Sequence, residues 1–166
     1  MRNNLPRTPT IGGILPLDKL DRRMLEILQR EGRISNAALA QRLHLSPSPC
    51  LRRMRALERD GVISGYRAVL DRPRVGLGLT VFVEISVERH SEQLATAISE
   101  ELLAAPEVVA AHVVSGSSDF LLEVVVADLA AYEQLLFGTL LQLPNVGDVR
   151  SNFALRTVKP SGPLPL

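Results

Sequence analysis

The apolar residues of this chain change their period partway along it. From Leu17 to Leu57 they recur every three or four positions, and from Val81 to Val87 they alternate one by one. The first pattern is a helical face and the second a half-buried strand. One element cannot serve both, so the chain divides into a helical part and a sheet part. The change falls at Asp71–Gly78 (DRPRVGLG), where one Pro and two Gly mark a linker. A length of 166 residues accommodates two small domains on either side of it. Charge divides at the same place. Residues 1–75 hold 15 Lys and Arg against 7 Asp and Glu, a net +8, and residues 76–166 hold 4 against 11, a net −7. Such asymmetry fits one half that faces a polyanion and one that does not. Two solvated surfaces that merely differ are the plainer alternative.

In the first half, Leu17, Leu20, Met24, Ile27 and Leu28 predict a helix capped by Asp18 and ended by Gly32. Ser35 opens a short second helix carrying Ala37, Ala38, Leu39, Ala40 and Leu43. After a break at His44-Leu45, Ser46 stands as N-cap with Pro47 at the first helical position. That third helix runs to about Asp60 and stops at Gly61. Val62–Leu70 (VISGYRAVL), with Gly65 in its middle, predicts a small hairpin. Three short helices and a hairpin make a winged helix-turn-helix.

In the second half, the strand at Thr80–Glu88 is followed by a helix capped by Ser91 with Leu94, Ile98 and Leu102 inward. Strands are expected at Val108–Val114 and Phe120–Val126. Asp128 caps a helix with Tyr132, Leu135, Leu136 and Leu140 inward, and Val149–Val158 is a last strand. The order β-α-β-β-α-β is the ferredoxin-like split motif, an α+β fold with both helices on one face of an antiparallel sheet. The other face keeps apolar residues that need cover, most simply from a second copy of the chain. The expected division is a flexible tail over 1–16, a winged helix-turn-helix domain over 17–70, a linker over 71–78, a ferredoxin-like domain over 79–159 and a tail over 160–166.

The third helix carries the sharpest chemistry. At about 100° per residue, Cys50, Met54 and Leu57 fall within roughly 60° on the core side. Ser48, Arg52, Arg55 and Arg59 fall within a similar arc on the opposite side, with Arg53 flanking them. Guanidinium forks bind phosphates and the guanine edge. In a helix-turn-helix the second of the paired helices enters the major groove by its N-terminal residues, here Ser46, Ser48, Pro49, Arg52 and Arg53. A solvated helix balanced by Glu58 and Asp60 is the bland alternative.

The stretches LDKLDRRML, GRISN, LSPSPCLRRMRALE and GVISGYRA resemble the recurring words of the Lrp/AsnC family of transcription regulators. VSGSSDFLL resembles the family's ligand-loop signature, and LPNVGDVRSNFALRTVK its final strand. The resemblance covers roughly residues 17–159. It implies double-stranded DNA as partner, dimers built through the C-terminal domain, frequent octamers or larger rings, and a small effector, usually an amino acid. That effector would sit between dimers near the loop matching Gly116–Phe120, with Ser151 on the last strand adding a contact. Gly116 lets backbone approach a small molecule closely. Ser117 and Ser118 offer hydroxyls for a carboxylate, and Asp119 offers an acceptor for an ammonium. Read without the resemblance, the same residues also make an ordinary hairpin turn. Many members of the family carry larger or charged residues where this chain has Ser117 and Ser118.

No catalytic residues, metal ligands or cofactor are expected. One Cys excludes a disulfide framework, and Cys50 sits on a core stripe. His44, His90 and His112 lack metal-ligand spacing. No apolar run reaches the length of a membrane span and no secretory signal opens the chain, so a cytoplasmic address is expected. Two other readings share the outline. Sirohaem decarboxylases use the same two-domain plan but need basic and histidine side chains around a tetrapyrrole, and only four basic residues lie in the second half. A nucleoid-architectural protein would wrap DNA with little sequence preference.

Overall fold

The computed structural model describes residues 16–88 and 91–166. The tail expected over 1–16, with Arg2 and Arg7, lies outside the described residues except for Pro16, and so does His90. The chain divides into two compact units, one reaching to Ala68 and including Ser161–Leu166, the other Val69–Pro160.

The first unit begins with α1, Lys19–Arg30, whose N-cap is Asp18. The Asp18 carboxylate accepts the Asp21 N–H at 2.7 Å, and the Asp21 carboxylate accepts the Asp18 N–H at 3.3 Å. This reciprocal box satisfies two donors the first turn would otherwise leave open. Helix α2, Asn36–Arg42, is capped by the Ser35 hydroxyl on the Ala38 N–H. His44 turns the chain through a left-handed φ of 54°, and the Leu45 N–H returns to the Ala40 carbonyl. Helix α3, Pro47–Arg59, then starts at Ser46. Ser46 has the extended backbone of an N-cap, but its hydroxyl makes no capping bond. The residue that normally donates to such a cap, three positions on, is Pro49, which has no N–H. The Asn36 amide instead ties α2 to the Pro47 carbonyl at 2.9 Å. Met24, Leu25, Ile27, Leu28, Leu39, Ala40, Leu43, Cys50 and Leu57 form one buried cluster. Burial raises the Cys50 thiol's pKa, which keeps it an inert packed group.

The hairpin expected at Val62–Leu70 is not formed. Val62 and Ile63 pack against the core, but no strand follows, and Ser64–Leu70 is exposed. Nine residues give each arm too little apolar surface to hold an isolated ribbon. The segment is fixed at one point, where the Tyr66 hydroxyl donates to Glu58 at 3.1 Å. At the other end of the chain the Gln29 side chain brackets Leu164. Its amide donates to the Leu164 carbonyl at 3.3 Å, and its oxygen accepts the Leu164 N–H at 2.5 Å.

The second unit has four antiparallel strands in the order β2-β3-β1-β4, with β1 Leu79–Val87, β2 Val108–Val113, β3 Phe120–Val126 and β4 Val146–Phe153. Helices α4, Glu92–Ala104, and α5, Leu129–Gly138, are capped by Ser91 and Asp128. Both pack on one face, where Val81, Val83, Ile85, Leu122 and Val124 meet Ile98, Leu102, Tyr132 and Leu135. Leu140, expected in α5, is buried from a separate 3-10 turn, Leu140–Gln142. The last strand is shifted from the expected Val149–Val158. It starts at Val146, opposite Val87 across a bulge, and ends at Phe153, opposite Val81. Its partner β1 begins at Leu79, so little ladder remains beyond that point. Leu155 is accordingly 98% exposed.

The opposite face carries Thr80, Phe82, Glu84 and Ser86 from β1, beside Leu121, Glu123 and Val125 from β3. It is more mixed than expected: Phe82 is 42% exposed, while Val125 is buried outside the main core. The linker expected over 71–78 is partly ordered. The Asp71 carboxylate accepts the Arg74 N–H, Pro73–Val75 form a 3-10 turn, and Gly76 closes it at φ 81°. No helix among the described residues is long and apolar enough to cross a membrane.

Leu122 is fully buried at the centre of the sheet. Leu122→Ala is expected to cost about 2–5 kcal/mol of stability in urea unfolding. A loss under about 1 kcal/mol would contradict its placement in a closely packed core.

Candidate nucleic-acid interface and ligand cleft

Helix α3 is held to its own unit by Cys50 and Leu57, both buried, with Met54 beside them. Its other side is not uniform. Arg52 and Arg55 are exposed, and neither makes an ion pair or hydrogen bond among the described residues. Ser46 and Ser48 are exposed beside them, and Pro49 is half-buried. Arg59 is turned onto Asp60, with Nε to Oδ1 at 2.9 Å.

Arg53 departs from the expected ridge. Its Nη1 donates to Asp18 Oδ2 and to Asp21 Oδ1, each at 2.7 Å. Two carboxylates already joined in the α1 capping box thus grip one guanidinium from α3. The pairing raises the Arg53 pKa, chiefly through Asp21 and then Asp18. The Asp18 carboxyl is held below its usual range, first by the Asp21 N–H and also by Arg53. Arg53, expected to flank the ridge, is engaged as a clasp between α1 and α3. The exposed face that remains is Ser46, Ser48, Arg52 and Arg55.

The Gly116–Phe120 loop joins β2 to β3, and Gly116 takes a φ of 127° there. Within a single chain the side chains of this loop point to different sides of the sheet. The Ser118 hydroxyl donates to Glu84 Oε2 at 3.2 Å on the outer face of the sheet, where Asn152 also donates to Glu84. The Ser117 carbonyl accepts from the Ser86 hydroxyl. Asp119 points the other way, with Oδ2 accepting the Val87 N–H at 2.8 Å. Phe120 is buried in the core. Ser151 lies at β4, where its hydroxyl shares a hydrogen bond with the Tyr132 hydroxyl at 2.5 Å.

Asp119 and Phe120 do share a cleft of about 420 Å³ on the helix side of the sheet. Its walls are Val87, Leu94, Ala95, Ile98 and Val113, with Ser91 and Glu92 at one end. An apolar wall with a carboxylate at one side and the first turn of a helix nearby suits a small zwitterion with an apolar side chain. Sequence reading named Asp119 and Phe120 but missed the wall. The spacing of Leu94 and Ile98 marks them as inward-facing, though not that the cleft opens beside them. It also missed Glu84 as the partner of Ser118, although strict alternation along β1 already puts Glu84 opposite Val83.

A profile of winged helix-turn-helix DNA-binding domains matches residues 17–64, and a profile of the Lrp/AsnC ligand binding domain matches residues 80–164. The leucine-responsive regulatory proteins of Klebsiella pneumoniae and Escherichia coli are each 43% identical over 148 residues, 89% of this chain and 90% of theirs. A Neisseria meningitidis transcriptional regulator solved with L-methionine superimposes with a TM-score of 0.85 at 36% identity, over 90% of this chain and 97% of its own. An AsnC family regulator from Agrobacterium tumefaciens gives the same TM-score and coverage at 40% identity.

The clasp has a pH signature. A carboxyl depressed in the folded state stabilises the fold above its unfolded pKa of about 3.9, and that contribution is lost as pH falls through the lower folded value. Thermal melts are expected to show an acid limb below about pH 4 that Asp18→Asn flattens. Arg53→Ala should lower the melting temperature at pH 7, while Arg52→Ala should leave stability within about 0.5 kcal/mol. Equal effects of the two arginine variants would remove the distinction between clasp and ridge.

Proposed function

The chain belongs to the Lrp/AsnC family of transcription regulators, and we propose from that premise that Arg52 and Arg55 of α3 read or grip its operator DNA. The observation that carries the assignment is their exposure without any ion-pair partner among the described residues, on a helix whose opposite side is buried. Ser46 and Ser48 flank them at the helix start, where recognition helices meet base edges. Arg59, paired with Asp60, is a phosphate contact that exchanges one partner for another. The family points to a regulator rather than an enzyme, so the decarboxylase reading is set aside.

The effector is an amino acid with an apolar side chain, held in the cleft of Asp119 and Phe120. The relatives named leucine-responsive, and the relative solved with L-methionine, bear on that choice. The cleft's aliphatic wall fits such a side chain, and the Asp119 carboxylate gives an ammonium its counter-charge. Ser117, Ser118 and Ser151 act outside the cleft: Ser117 and Ser118 shape the loop against Ser86 and Glu84, and Ser151 braces Tyr132. The functional division is a DNA-binding domain over 17–70 and a sensing domain over 79–159. Copies of the chain pair through the latter into dimers and octamers, in the cytoplasm where the DNA is. Effector binding changes DNA occupancy by favouring one assembly over another, since a ligand that prefers no state shifts none.

Each phosphate contact contributes about −0.9 to the slope of log affinity against log salt. Arg52→Ala with Arg55→Ala is expected to weaken gel-shift affinity and to flatten that slope by about 1 to 2. Unchanged affinity and slope would take both residues out of the interface. In a thermal-shift screen of the twenty amino acids, leucine or methionine should raise the melting temperature, because a ligand bound only by the folded state stabilises it. Asp119→Ala should abolish the shift while DNA binding persists. Absence of any shift in the unaltered protein would refute the sensing role.

A further inference from the structure

We infer that Pro49 and Asn36 are positioning residues for DNA reading: Pro49 keeps the Ser46 hydroxyl out of the α3 cap and free for a base edge, and Asn36 holds the start of α3 from α2 in the cap's place. The inference rests on the proposed reading that α3 meets DNA with its first turn leading. Ser35 and Ser46 stand in the same place before neighbouring helices. Ser35 precedes α2 with φ −70° and ψ 151°, and its hydroxyl accepts the Ala38 N–H, three positions on, at 3.2 Å. Ser46 precedes α3 with φ −75° and ψ 154°, nearly the same backbone. Its hydroxyl would accept from position 49, but Pro49 has no N–H to give. It does not take the Ser48 N–H either. The Ser46 carbonyl already accepts the Cys50 N–H at 3.3 Å. The hydroxyl is thus the polar group of Ser46 that the helix leaves unused, on an exposed residue.

A helix start without its side-chain cap needs another hold, and here it comes from the neighbouring helix. Asn36, the first residue of α2, donates from Nδ2 to the Pro47 carbonyl at 2.9 Å. Asn36 Oδ1 is buried and has no hydrogen-bond partner among the described residues. A buried acceptor left unpaired costs stability, and a leucine of similar outline would escape that cost. What Asn36 supplies instead is a fixed distance from α2 to the leading turn of α3. Distance matters differently to the two kinds of DNA contact. A hydrogen bond to a base edge weakens once donor and acceptor move beyond about 3.2 Å. Arg52 and Arg55 reach phosphates through long, flexible side chains and tolerate a small shift of the helix. Pro47 and Pro49 also leave Ser48 with the one backbone N–H of the first three helical residues. A phosphate therefore finds little backbone to grip there, and the serine hydroxyls are the groups left to read with. Pro49, which is half-buried, acts through Ser46, and Asn36 acts through the placement of the turn.

The test uses the full-length protein, a duplex recovered from random sequence by in vitro selection, and a scrambled duplex of the same composition. Discrimination is the ratio of the two affinities. Ser46→Ala and Pro49→Ala are each expected to lower it about three- to tenfold, the range of one hydrogen bond, and the double variant no further than either alone. Asn36→Leu should lower it at least about threefold, and Asn36→Ala is read the same way should the leucine variant not fold. In every variant the affinity for scrambled duplex, its salt slope and the assembly seen by light scattering should not change. Thermal melts supply an arm without DNA. Ser46→Ala should move the melting temperature by under about 1 °C, because no capping bond is lost, whereas in the Pro49→Ala background, where position 49 regains its N–H, it should lower it by about 2–4 °C. Comparison within one background cancels the effect of the proline on the unfolded chain. Losses of discrimination that multiply in the double variant, equal melting shifts in the two backgrounds, or an Asn36 variant that keeps its discrimination or loses scrambled binding in step would each overturn the inference. If selection recovers no preferred duplex, the DNA-recognition reading fails first and this one with it, an outcome separate from a preferred duplex whose discrimination ignores Pro49 and Asn36.

Discussion

Two carboxylates at the start of α1 determine which arginines of α3 remain available. Asp18 and Asp21 are bound into one capping box, and Arg53 bridges both. The box needs no cation to form, so Arg53 adds an inter-helix tie to a local motif that already stands. Arg53 tied to α1 and the burial of Cys50 and Leu57 together set which side of α3 faces its own domain. Arg52, one position earlier and about 100° around the helix, is then necessarily outward, and Arg55 lies on its side of the helix. Removing the clasp would leave two acids beside the recognition helix without their counter-ion, where they would repel phosphate as well as loosen the packing.

Much of this fold is legible in the sequence because its signals are local. Asp18, Ser35, Ser91 and Asp128 each cap the helix expected of them, and the alternation of Val81, Val83 and Ile85 names the central strand. What the sequence does not show is long-range. Arg53 meets Asp21 across 32 residues, and a helical wheel of α3 alone places it beside Arg52. Two acids three residues apart at a helix start are the local sign that a cation is drawn there. The end of β4 is hidden from the sequence for a related reason. Val158 has the right side chain for a strand, but a strand ends where its partner ends, and β1 begins at Leu79.

The β2–β3 loop illustrates a second limit. Ser117, Ser118 and Asp119 are neighbours in sequence and suggest one polar pocket. Side chains alternate across an extended chain, so a loop feeding an inner strand sends adjacent residues to opposite faces. Ser118 goes to Glu84 on the outer face, and Asp119 goes to the Val87 N–H and the cleft. This has a chemical consequence for sensing. The loop is stapled to β1 from both sides, through Glu84 and Ser86 on one and through Ile85 and Val87 on the other. For an amino acid held in the cleft as proposed, the Asp119 carboxylate is already positioned by the Val87 N–H, so little ordering cost falls on binding.

The separation of charge along the chain now has a structural meaning. A net +8 in residues 1–75 and −7 in the remainder would be costly to keep apart if both halves met the same surface. A regulator on DNA benefits from the separation, because the polyanion attracts one domain and repels the other, which favours encounters that lead with α3. The linker lies at the boundary and belongs electrostatically to both sides. Arg72 is a cation counted with the basic half, yet it is neutralised by Glu123 of the acidic half. A linker anchored by apolar contacts alone would be indifferent to salt. This one is anchored by a half-exposed ion pair, so raising ionic strength loosens the anchor by the same screening that weakens arginine-phosphate contacts.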